Sequence, residues 1–112
     1  MINDELLKNI KKILSSAELV YSNKDFTSAT ILYFKAVFCV LDFILLKSKG
    51  NAPKDHTERF RMLENSYPDL YEFIDKYFRI YRDTYSTSID KETCDDLKEN
   101  VKRIIKKHQV QI

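Results

Sequence analysis

Residues 25–50 read DFTSATILYFKAVFCVLDFILLKSKG, and this stretch decides the fold. Asp25 belongs to the residue types that cap helix N-termini, and Gly50 to those that close C-termini in the left-handed conformation. The segment therefore reads as one helix from about Asp25 to Lys49. Its polar positions Ser28, Lys35, Asp42 and Lys49 repeat every seven residues, with Lys24 one turn before Ser28, and fall in one narrow strip. Nearly everything else, including Tyr33, Phe34, Val37, Phe38, Leu41, Phe43 and Leu45, is apolar. A helix that is apolar almost all round is buried by its own bundle or by a second subunit. Its most apolar part, Ile31 to Leu46, is interrupted by Lys35 and Asp42 and falls short of the ~20 residues that a spanning helix needs. It reads as a core helix, and no membrane association is expected.

The flanking sequence repeats the helical pattern. Leu6, Leu7, Ile10, Ile13, Leu14, Ala17 and Tyr21 recur at three- and four-residue spacing and predict a helix from about Asp4 to Tyr21, with Asn3 as its cap. Beyond Gly50, Asp55 and Glu58 form a D-x-x-E pattern resembling a capping box. It opens a short helix to about Asn65 whose inner stripe is His56, Phe60 and Leu63. Pro68 suits the first turn of a fourth helix reaching about Tyr85. Tyr67, Tyr71, Ile74, Phe78, Tyr81 and Tyr85 form its stripe, with Leu70, Phe73, Tyr77 and Ile80 beside it. Asp90 can cap a last helix that keeps Cys94, Leu97, Val101, Ile104 and Ile105 inside.

Composition agrees with this pattern. A chain of 112 residues with one Gly and two Pro cannot serve the many tight turns of a sandwich or barrel, whereas 44% hydrophobic and 32% charged residues suit amphipathic helices. The expected fold is all-α, an up-and-down helical bundle of four main helices plus one short helix, forming a single domain over residues 1–112. A net charge of +2 is too balanced to argue for nucleic acid or membrane by electrostatics alone. Cys39 and Cys94 form no CxxC pair and no Cys/His cluster, so neither a metal nor another cofactor is expected. The N-terminal residues lack the apolar run of a signal peptide, which points to the cytoplasm.

Few residues invite chemistry. One glycine rules out a phosphate-cradling loop, and no Ser-His-Asp order can be assembled. The aromatic stripe with Arg79 and Arg82 could stack bases and hold phosphates, although Tyr at helical spacing also packs cores. Counting at 100° per residue, Arg82 lies about 20° beyond Tyr71 at the border of the apolar arc, with Arg79 and Asp83 turned further outward. A guanidinium there can reach across a groove or into a subunit interface. His56 opens the short helix on its inner face, where it packs or caps. His108 falls at the frayed end of the last helix and is expected in solvent. Lys98, Lys102, Arg103, Lys106 and Lys107 follow Glu92, Asp95 and Asp96, which suits the helix dipole and a solvated face.

Taken in order, these pieces resemble the HEPN family of small helical bundles. Asp25-Phe26-Thr27-Ser28-Ala29 leading into Tyr33-Phe34-Lys35-Ala36-Val37-Phe38 is similar to the family's second helix. Pro53-Lys54-Asp55-His56 before Phe60 and Leu63 resembles its short third segment. Arg82-Asp83-Thr84-Tyr85, a polar loop and the helix Lys91 to Lys107 are similar to its final Arg-bearing helix, loop and closing helix. Many HEPN proteins are metal-independent RNases whose motif is an Arg, a polar residue and then a His a few positions on. Arg82 and Asp83 match the first two positions, but Thr87, Ser88 and Ile89 stand where the imidazole would be. Arg103 and His108 match the spacing by chance, since residues five apart on a helix point about 140° away from each other.

The resemblance implies a homodimer with the Arg-bearing helices near its interface. It also implies a binding or dimerisation module like those family members that lack the catalytic pair. Such a module would bind a nucleotide, RNA or a nucleotidyltransferase partner in a toxin–antitoxin-like pair. Arg82 would be the contact, oriented by Asp83 and Tyr85 and joined by Arg79. Two other readings stay open. One is a divergent RNase in which Arg82 stabilises charge and Asp83 or His56 handles the proton; the other is a purely structural bundle.

Overall fold

The computed structural model describes residues 2–112, with side chains described from Asp4 onward. Five helices follow one another: α1 (Ile2–Ser22), α2 (Phe26–Lys49), α3 (His56–Ser66), α4 (Pro68–Asp83) and α5 (Lys91–Lys107). No strand occurs among the described residues. The chain is all-α, and the ends of its helices are set by the residues that the sequence singles out. The Asp25 side chain accepts from Ser28 N–H, Asp55 from Glu58 N–H and Asp90 from Thr93 N–H, each satisfying a donor that the first helical turn leaves free. Glu58 reaches back to the backbone N–H of Lys54, so the box closes one residue before the cap itself. Gly50 ends α2 at φ 86°, where a side chain would be strained. The first helix starts earlier than the periodicity indicates, so Asn3 lies within α1 and does not cap it.

α2 is the axis of the bundle and packs against all four other helices. Tyr33, Phe34, Val37, Val40, Leu41 and Leu45 are fully buried along it, each large side chain contributing roughly 1.5–3 kcal/mol of burial. By length and composition α2 could cross a membrane, yet 67% of that apolar stretch is buried within this bundle. Its all-round apolar surface is thus covered by its own chain, and of its large apolar residues Ile31 alone is exposed. The four long helices alternate in direction. Asp69 pairs with Lys107 and Tyr77 with Asp96, which makes α4 and α5 antiparallel. Glu18 meets Lys98 and Lys102 while Tyr21 meets Asp95, so α1 and α5 are antiparallel as well. The short α3 runs alongside α2 in the same direction, with His56 against Phe38 and Arg59 against Asp42.

Two further expectations need correction. On α4 the buried face is Leu70, Phe73, Ile74 and Tyr77, whereas the aromatic stripe forms its flank: Tyr71, Phe78 and Tyr81 are half-buried and Tyr85 is 78% exposed. The cause is α3, whose Phe60 packs edge-on against Tyr71 and Phe78 and draws that flank toward itself. His108 does not stand in solvent. It caps α5 and rests edge-on against Tyr67, half-buried, with its Nε2 enclosed.

The seam between α1, α2 and α5 is polar and closed. The buried Tyr33 hydroxyl donates to Glu18 at 2.9 Å, and Glu18 also meets Lys98 at 3.3 Å and Lys102 at 3.8 Å. Burial, followed by the Glu18 carboxylate, pushes the Tyr33 phenol far up, so it remains a donor. Tyr21 donates to Asp95, which Lys91 also holds at 2.8 Å.

Candidate functional site

On the opposite side of α2 lies a groove of about 360 Å³, walled by α2, α3 and α4. Its construction begins with Asp42, the one acid in the polar strip of α2. A carboxylate facing into a bundle needs a cation, and Arg59 supplies it. Arg59 is 9% exposed, the most buried charged residue of the chain. Its Nε–H donates to Asp42 Oδ1 at 2.7 Å and its NH2 group to Oδ2 at 3.0 Å, the two-pronged geometry that a planar guanidinium favours. The cation also lies 5.1 Å from the centre of the Phe38 ring.

The third nitrogen of Arg59 decides the state of His56. NH1 stands 2.6 Å from His56 Nδ1. A guanidinium only donates, so Nδ1 accepts and the ring proton resides on Nε2. Burial, and then the Arg59 charge, lower the His56 pKa below its usual value, which keeps the ring neutral near pH 7. Phe38 at 4.8 Å, Phe78 at 5.4 Å and Tyr81 at 5.8 Å hold the imidazole edge-on. Fixed in this way, His56 offers an N–H; using Nε2 as a base would require the other tautomer and the loss of the Arg59 bond.

Lys35, from the same strip as Asp42, and Lys54, from the α2–α3 loop, complete the groove with Ile31, Phe38, Cys39, Asp55 and Tyr81. Both lysine side chains are exposed, and neither ammonium has an ion-pair or hydrogen-bond partner among the described residues. Burial pushes the Cys39 thiol up, which leaves it a weak nucleophile. Among the described residues no three His, Cys, Asp or Glu side chains converge as a metal site would require.

Of the residues that the sequence singles out at the end of α4, none lines the groove itself; Tyr85 adjoins it through Tyr81, whereas Arg79, two residues before Tyr81, leaves the helix on nearly the opposite side. Arg79, Arg82, Asp83 and Tyr85 are all exposed at the C-terminal end of α4. The hydroxyls of Tyr81 and Tyr85 are 3.2 Å apart, so Tyr85 continues the groove wall outward. Arg82 follows Phe78 by one helical turn and therefore leaves α4 on the flank that carries Phe78 against His56. No bond joins Asp83 to Arg82 among the described residues, as expected of helix neighbours whose side chains diverge by about 100°. His56 belongs instead to the interior cluster.

The basic run of α5 is largely occupied. Lys98 and Lys102 meet Glu18, Lys107 meets Asp69 at 3.1 Å, and Arg103 bonds Asn100. Sequence reasoning missed Arg59. Its signal is its position three residues after His56 and four before Leu63, on the inner stripe itself, opposite a lone acid in an apolar helix. No protein-family model matches the chain, and no curated protein or solved structure is significantly similar to it.

Proposed function

We propose that this chain is an HEPN-like binding module of the cytoplasm that holds single-stranded RNA on the C-terminal end of α4 without cleaving it efficiently. The observation that carries the reading is the exposed ring of Tyr85 at the end of α4 with Arg82 three residues before it and Arg79 one turn earlier, both guanidiniums exposed and without an ion-pair partner among the described residues. Cations that follow a phosphate backbone and rings on which bases stack are the two components of sequence-tolerant single-strand binding. Weak cleavage follows from the missing histidine. Arg82 can grip phosphate, but Thr87 and Ser88 have no basic form near pH 7 and His56 is held as a donor by Arg59. General acid–base help is typically worth 10²–10⁴-fold, so turnover at least about a hundredfold below that of a motif-complete HEPN RNase is expected.

The test incubates the protein with single-stranded RNA and a chelator, reading anisotropy for binding and gel mobility for cleavage. Binding without robust cleavage, weakened in Arg82→Ala, supports the proposal. Robust cleavage that vanishes in Arg82→Ala establishes the divergent-RNase alternative instead, and absence of binding leaves the structural bundle.

A homodimer is a second reading of the same face. Ile31 is 40% and Tyr85 78% exposed, and both adjoin Tyr81. Light scattering that gives about twice 13.3 kDa for the wild type and the monomer mass for Tyr85→Glu supports it. A nucleotidyltransferase partner would compete with RNA for this surface.

A further inference from the structure

We infer that the groove between α2, α3 and α4 is a pocket for a terminal phosphate, so that the RNA on the neighbouring α4 face is held by one of its ends. The inference rests on the RNA reading above and adds a ligand class to the adjoining cavity. Lys35, Lys54 and His56 line the groove, and among the described residues no acceptor meets either ammonium or the His56 Nε2–H. A terminal phosphate monoester offers three free oxygens and a charge of about −1.5 to −2. An internal phosphodiester offers two free oxygens and a single charge.

The acids in the lining offset these donors only in part. Asp42 is bound by Arg59 through both carboxylate oxygens; Asp55 caps α3 and keeps its charge, which leaves one positive charge in excess among Lys35, Lys54, Arg59, Asp42 and Asp55. Arg59 is committed through all its nitrogens and serves as scaffold: it fixes the imidazole so that Nε2 carries the proton. The wall beside these donors is aromatic, formed by Phe38 and Tyr81, and leads outward through Tyr85 to Arg82. A volume of about 360 Å³ lies at the small end of ligand cavities and holds one nucleotide-sized group rather than a run of them. The strand beyond its end would cross Tyr81 and Tyr85 toward Arg82.

The experiment uses the full chain and RNA oligomers of about eight nucleotides, of one sequence, ending in a 5′-phosphate, a 3′-phosphate or hydroxyls at both ends, titrated by calorimetry. One phosphate-ended oligomer should bind about tenfold tighter than the hydroxyl-ended one, the worth of one charge-assisted hydrogen bond, and which of the two does so identifies the end. The double variant Lys35→Ala/Lys54→Ala should lose that preference while binding the hydroxyl-ended oligomer as the wild type does. Lys54→Arg in place of the double variant should retain it, and inorganic phosphate should abolish it. Equal affinities for all three oligomers, or a preference that survives in the double variant, overturn the end pocket and leave the RNA-binding face standing. Failure of every oligomer to bind overturns both.

Discussion

The two flanks of α2 are built from the same residue types and end in opposite states. On the α1–α5 side, Glu18, Asp95, Tyr21, Tyr33, Lys91, Lys98 and Lys102 are joined in a closed set in which acids and bases answer one another. On the α3–α4 side, Asp42 and Arg59 satisfy each other in the interior, and Lys35, Lys54, Arg79 and Arg82 are left over at the surface. The seam holds the bundle together. The groove also has a structural floor, but its rim carries charge that the fold does not use. An unanswered cation alone does not mark a binding face in this protein, since Lys8, Lys11, Lys12 and Lys106 also lack an ion-pair partner among the described residues; what sets the groove apart is that its leftover charge lies beside an aromatic wall.

The sharpest way to break this comparison is at the groove floor. Asp42→Ala leaves Arg59 buried without its counter-ion and should cost about 3 kcal/mol in denaturant unfolding, as broken buried pairs do. Asp42→Leu combined with Arg59→Met should recover most of that loss, because an apolar pair of similar volume needs no compensation. If Asp42→Ala costs no more than a surface substitution, the floor is not structural and the contrast with the seam fails. A smaller loss is expected in the seam. Tyr33→Phe removes the hydroxyl bonded to Glu18, and about 1 kcal/mol should follow.

Acidification offers a third probe. His56 has a folded-state pKa below its ordinary 6.5, so the unfolded chain takes up its proton first. The stability it contributes is complete above about pH 6.5 and is lost as pH falls through the lower folded value. The seam acids Glu18 and Asp95 are lowered from 4.5 and 3.8 and act in a more acidic window. Thermal unfolding should therefore weaken between pH 7 and 5 in the wild type and much less in His56→Gln, whose amide oxygen can still accept from Arg59. The smallest effect belongs to the rim. Arg82→Ala should change stability by less than about 0.5 kcal/mol while weakening RNA binding, since an exposed side chain adds little to the core.

The helices were legible in the sequence because their apolar residues recur at helical spacing, and the starts of α2, α3 and α5 because a cap of the right type stands at Asp25, Asp55 and Asp90. The groove was half legible. The heptad strip of α2 brings forward both Lys35 and Asp42, and the resemblance to HEPN proteins draws attention to His56 and Arg82. What local periodicity cannot supply is the pairing of Asp42 with Arg59, seventeen residues away, which depends on how α3 lies along α2. The same holds for α4. Its aromatic stripe looked like the centre of the buried face, but three-dimensional packing gave that place to Leu70, Phe73, Ile74 and Tyr77 and left the stripe to α3. His108 illustrates the point again, since helix ends usually fray but this one is held against Tyr67.

The central position of α2 also bears on how the protein is made. Of these five helices only α1 precedes α2 out of the ribosome, while the residues that will cover the other faces of α2 are still inside the exit tunnel or untranslated. At ~5–20 residues per second, α3, α4 and α5 follow over several seconds. During that interval the nascent chain displays an apolar helix long enough to cross a membrane, the kind of surface that chaperones grasp. Slowing translation after Gly50 should lower the yield of folded protein, and co-production of a holdase should restore it, even though the finished molecule hides that helix almost completely.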